Sequence, residues 1–150
     1  MRNNPFAKFM KFLILIFVVI MAFTVVTLPF LVDQYERFWG LESSDSLLLK
    51  VFLYLTAIPF IVLLLKAKQL CNNILQADPF CQSSVTALNF ISISAFIDFL
   101  LYAIGTIVIF KNLLALTLMV AAFMVGLVSL LLAQLVKIAI QIKQENDLTI

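Results

Sequence analysis

The sequence predicts an all-α fold: a four-transmembrane-helix bundle with helices extended into the cytoplasm, in a single integral membrane domain covering residues 1–150. Three observations predict it. Apolar residues make up 64% of the chain and charged residues only 12%, about half the share found in soluble domains. The mean hydropathy is +1.15. The apolar residues also fall into four blocks, each close to the ~20 helical residues that cross the hydrocarbon of a bilayer, and not into the short stripes of a soluble core.

The first block, about residues 12–32, follows Lys8 and Lys11. It resembles a signal peptide in that respect, but it is long for one and no A-x-A cleavage pattern precedes "DQYERFWG". It is therefore expected to be an uncleaved anchor. Phe38 and Trp39 stand where an interfacial aromatic anchor belongs. The second block, about 47–65, contains Pro59, which is expected to kink or locally loosen its helix. After Lys66 the helical spacing continues through Ala67, Leu70, Cys71, Ile74 and Leu75. In "ADPF", Asp78 is a good N-cap and Pro79 suits the first helical position. The third helix is thus expected to begin near Pro79, ahead of its apolar block at about 88–110, and to reach Phe110. That length is about 48 Å, more than the ~30 Å of hydrocarbon. A two-residue hairpin, "KN", makes the fourth block, about 113–136, an antiparallel neighbour of the third. The fourth helix is expected to continue past Gln134 through "LVKIAIQIK". At least three helices should therefore project into the cytosol.

Orientation follows from the basic residues. Arg2, Lys8, Lys11, Lys66, Lys68, Lys137 and Lys143 fall on one side. Arg37, Lys50 and Lys111 fall on the other, with Asp33, Glu36, Glu42 and Asp45. Both termini are expected in the cytoplasm of a bacterial cell membrane.

Asp98, in "ISISAFIDFLLYAIG", lies near the middle of the third span. An acid at that depth costs about 2.5–3.5 kcal/mol, so it should face the interior and find a partner. It is expected to be neutral and to donate a hydrogen bond. Ser94, Asp98 and Tyr102 are spaced by four, with Gly105 three further on, and form one polar stripe. The small-residue face of the fourth span, Ala122, Gly126, Ser129 and Ala133, is expected to receive it as interhelical glue. A proton-coupled transport site and a ligand-sensing contact are the functional alternatives.

Enzyme chemistry is not expected. There is no His, no nucleophile–base pair, no carboxylate pair at one depth and no glycine-rich phosphate loop. No catalytic residue, cofactor or metal ligand is assigned. Cys71 and Cys81 are read as small apolar fillers. The small net charge of +2 gives no reason to expect direct nucleic-acid binding.

The chain's last residues are polar and mixed in charge, "QIKQENDLTI". Together with "YLTAIPF" and "DPFCQSSVTALNFI", in that order, they resemble the YoaS-like family of small bacterial four-helix membrane proteins of unknown function. The resemblance covers about residues 50–150, and its specific part is the ending Glu145, Asn146, Asp147, Leu148, Thr149 and Ile150. It implies a genomic habit: such proteins are often encoded beside a Cro/CI-type helix-turn-helix regulator. It lends Asp98 no role.

Physically, Glu145, Asp147 and the terminal carboxylate oppose the helix dipole. The chain is expected to leave the helix near Asn146. Its Leu148 and Ile150 could then fold back near Lys66 and Lys68, or be captured by a partner. The expected function is a non-enzymatic membrane protein that tethers or regulates a cytosolic DNA-binding regulator. The alternatives are a small proton-coupled transporter using Asp98 and an accessory subunit of a membrane complex.

Overall fold

The structure, a computed structural model, describes residues 5–39, 46–76, 78–110 and 113–147. It contains α1 (Pro5–Trp39), α2 (Ser46–Leu75), α3 (Gln82–Gly105), a π-helical turn (Thr106–Phe110) and α4 (Leu113–Asp147). All four helices are long and apolar enough to cross a membrane. The all-α, four-transmembrane-helix class expected from the apolar blocks is the class observed. At 1.5 Å per residue α1 and α4 are each about 52 Å long and α2 about 45 Å, so these helices outrun the hydrocarbon.

The helices pack in chain order, α1 on α2, α2 on α3 and α3 on α4. The α1 helix is held along one stripe at heptad-like spacing, where Ala7, Ile14, Leu28 and Val32 are buried. Opposite it, Lys50 Nζ meets Asp33 at 2.7 Å. The hydroxyl of Tyr54 donates to the carbonyl of Val25 at 3.2 Å. That bond has a covalent origin. Pro29 lies inside α1 and has no N–H to give the carbonyl four residues earlier. The freed carbonyl is that of Val25, and α2 supplies the donor.

The threonines satisfy themselves in another way. Thr24, Thr27, Thr86 and Thr106 donate to carbonyls one turn earlier on their own helices, at 2.7–3.0 Å. A hydroxyl so paired enters the apolar region without needing a partner helix.

The α3 helix is the most enclosed of the four, as its small residues allow: Ser84 and Ala87 are 0% exposed and Ser92 and Ala95 2%. Small side chains let backbones approach closely. On its α4 side, Ser92 Oγ donates to the Gly126 carbonyl at 2.9 Å, and Phe96 and Phe99 pack against Phe123. On its α2 side, Phe52 meets Tyr102 edge-on at 6.1 Å. A Cβ added to Gly105 would sit 2.5 Å from the tip of the Phe52 ring. Gly105→Ala is expected to push that buried ring aside and destabilise the fold by about 1–3 kcal/mol, measurable by denaturant unfolding in detergent.

One expected boundary moves. The α3 helix begins at Gln82, not near Pro79, and Cys81 is its N-cap, without a side-chain cap bond. Asp78 does not cap it. Its N–H closes the end of α2 on the Asn73 carbonyl at 3.2 Å, and its carboxylate lies 3.9 Å from Lys143 of α4. The turn is built instead from Gln69 and Asn73, which donate to Ser83 at 3.0 and 3.2 Å, with Asn73 also 3.0 Å from Ser84. At the other end, α4 is helical through Asp147, the last described residue, within one residue of the expected exit near Asn146. The α2 helix runs unbroken through Pro59.

Candidate functional site

The polar stripe of α3 lies together on one helix, but it does not meet the face that was expected to receive it. Gly126, Ser129 and Ala133 of α4 are buried as a small-residue face. Ser92 and Phe96 are the residues that meet it at Gly126. Ser94 and Asp98 are 4% and 5% exposed. Tyr102, one turn beyond Asp98, turns to α2, against Phe52 and beside Thr56. The reason is angular. Asp98 and Tyr102 lie about 40° apart on the helix, whereas Ser92 and Asp98 lie roughly 120° apart. One helix thus offers two different seams, and the polar stripe took the α2 side.

The register of the α2–α3 seam fixes the depth of Asp98. Phe52 pairs with Tyr102, Lys66 Nζ sits 4.7 Å above the Phe90 ring, and Asn73 reaches Ser83 and Ser84. Antiparallel helices in that register bring Asp98 level with Thr56 and Ala57, both buried on α2. The expected interhelical bond is not made by one of its oxygens: Asp98 Oδ1 is fully buried and has no hydrogen-bond partner among the described residues. A buried acceptor left unmade costs about 1–3 kcal/mol. Sequence reasoning found the acid but gave it the wrong neighbours.

On the other side of α2, at the same depth, an apolar groove of about 170 Å³ runs between α1 and α2. Met21, Thr24, Leu28, Leu53 and Phe60 line it, with Thr56 and Ala57 as its inner wall. Sequence reasoning missed this groove. A signal for it was the pair Thr24 and Thr56, polar residues in two apolar blocks.

The tail residues are placed in part. Glu145 and Asn146 are exposed on the last helical turn, Asp147 ends α4, and Leu148, Thr149 and Ile150 lie outside the described residues. The root of the tail approaches the α2–α3 turn, through Lys143 and Asp78. Among the described residues no group of three His, Cys, Asp or Glu side chains could hold a metal ion. Cys71 and Cys81 are both free, and Cys71 is buried.

Comparison with known proteins agrees with this architecture. The chain is 29% identical to the uncharacterized membrane protein YoaS of Bacillus subtilis (strain 168), over an alignment covering 99% of each chain. No solved structure matches it. A family model described as a protein of unknown function, DUF2975, matches residues 34–150, which takes in α2, α3, α4 and the end of α1. The chain is a multi-pass membrane protein and belongs to the DUF2975 family.

Proposed function

We propose that this protein is a non-enzymatic membrane protein that holds or regulates a cytosolic helix-turn-helix transcription regulator, with both termini in the cytoplasm. The observation that carries the reading is the far end of α4. Its last two turns, Gln141 to Asn146, are exposed and continue as helix to Asp147, anchored at the root by Lys143 beside Asp78. A projecting, mixed-charge helix end is a surface a soluble partner can grip. The basic residues Lys8, Lys11, Lys66, Lys68, Lys137 and Lys143 belong to the helix ends on that side, which supports its cytoplasmic placement. The ending whose resemblance to the family the sequence suggests, residues 145–150, begins within these turns.

In-cell crosslinking from a photoreactive residue at Leu148 tests the proposal. The expected product joins this chain to a small DNA-binding protein. Crosslinks confined to residues 66–84 would make the tail a clasp on its own helices and end the tethering reading. A second reading, a small proton-coupled transporter, is favoured by one observation, the buried Asp98 oxygen without a hydrogen-bond partner among the described residues. It requires Asp98→Asn to abolish transport in vesicles while the protein stays folded.

A further inference from the structure

We propose that Asp98 anchors a binding site for a small monovalent cation, a proton or Na⁺, in the seam between α2 and α3. The inference does not depend on what the cytosolic face holds, and it shares only Asp98 with the transport reading.

Asp98 is 5% exposed, and its Oδ1 has no hydrogen-bond partner among the described residues. Among the described residues no countercharge faces it. On α3 the titratable neighbour is Tyr102, one turn away. On α2 no ionisable side chain other than Tyr54 stands between Lys50 and Lys66, and Tyr54 already donates to Val25 on α1. On α4 there is none from Leu113 to Val136. A bare carboxylate in such a place would cost far more than the fold can bear. Neutralisation must therefore come from outside the chain's own side chains, by a species small enough to enter a packed seam.

The chemistry around Asp98 then selects the class. Hydroxyls lie near it along the stripe: Ser94 one turn before, and Tyr102 one turn after with Thr56 beside it. On α2, Pro59 withholds an N–H from the carbonyl of Leu55, which leaves that carbonyl without its usual helical donor. One carboxylate among neutral oxygens balances one positive charge. A divalent ion calls for several charged oxygens, and the seam contains one acid. The groove between α1 and α2 approaches the same depth, with Thr56 and Ala57 as its inner wall. It supplies a path that ends one side chain from the stripe.

The test uses the full-length protein in phosphatidylethanolamine–phosphatidylglycerol vesicles, treated with dicyclohexylcarbodiimide, an apolar reagent that adds to protonated carboxyls. The adduct is located by peptide mass, and the protonated-carboxyl stretch is followed in parallel by infrared difference spectroscopy of wild type against Asp98→Asn. The expected result is an adduct at Asp98 whose rate falls about tenfold per pH unit once the carboxyl ionises, with the infrared band falling in step. Protection by NaCl, but not by KCl at equal ionic strength, would assign the site to Na⁺. Equal behaviour in both salts would assign it to the proton. An infrared band constant across the pH range in which the protein stays folded, and equal in both salts, would overturn the proposal, because Asp98 would then never exchange its cation. The crosslinking from Leu148 is blind to this outcome, so the two proposals fail separately.

Discussion

Asp98→Leu is expected to make the protein more stable, by about 1–3 kcal/mol, and to abolish the proposed cation binding. Leucine carries two methyl groups on a branched carbon, where aspartate carries two oxygens, so the shape is nearly kept. The chemistry reverses. At the centre of a membrane helix aspartate costs about 2.5–3.5 kcal/mol and leucine gains about 0.3–0.6. Part of that gain is spent fitting slightly larger groups between α2 and α3, at a cost of about 1 kcal/mol or more. The buried Oδ1 of Asp98 has no hydrogen bond to forfeit among the described residues. Equilibrium unfolding in mixed detergent micelles reads the change. A loss of stability of about 1–2 kcal/mol instead would mean that the carboxyl is interhelical glue. A group whose removal strengthens the fold is one that stability alone does not retain.

The opposite result is expected at the other seam of α3. Gly126→Leu should destabilise the protein by about 3 kcal/mol or more, enough to prevent stable docking of α4. A Cβ alone at Gly126 would come within 3.0–3.1 Å of the Phe96 ring. That ring cannot retreat freely, because Phe123 packs on it with centroids 6.0 Å apart. A leucine places three further carbons in the same space, and overpacking costs about 1–3 kcal/mol. The displaced helix also takes its carbonyl from Ser92, whose hydroxyl is 2.9 Å away and buried, adding about 1–3 kcal/mol for a polar group left unmade. Ala121→Leu is the control. Ala121 is exposed on the outer face of α4, where lipid surrounds it, and the same added volume should change stability by less than about 0.5 kcal/mol. Equal damage at both positions would show that α4 does not dock on α3 through Gly126.

Both predictions concern a single helix with two seams, and they mark where the sequence was legible. The class and number of helices were fully legible, because crossing a bilayer imposes a length and an apolar composition that few other structures satisfy. The burial of Asp98 was legible for the same reason: an acid at that depth has nowhere else to go. Its partner was not. The choice between α2 and α4 depends on helix rotation, and a difference of about 80° in azimuth decides it. Serine at 92 and serine at 94 look equivalent as letters, yet Ser92 bonds α4 and Ser94 lies along the stripe of Asp98.

Local boundary signals misled in a similar way. Asp78 and Pro79 carry the residue preferences of a helix start. They lost to side-chain bonds across the turn, in which Gln69 and Asn73 bind Ser83 and Ser84 while Asp78 turns to Lys143. Pro29 shows the converse. The missing donor is written in the sequence, but that Tyr54 answers it required α1 and α2 to be set side by side.

The sequence by itself thus determined that this chain is a four-span helical membrane protein with one acid deep in its third helix, because solvent transfer energies act on each segment separately. Only the tertiary structure decided which helices face that acid and that one of its oxygens is left unpaired among the described residues. Those outcomes depend on how helices rotate and register against one another, and that is settled by packing, not by the affinity of any one segment for lipid.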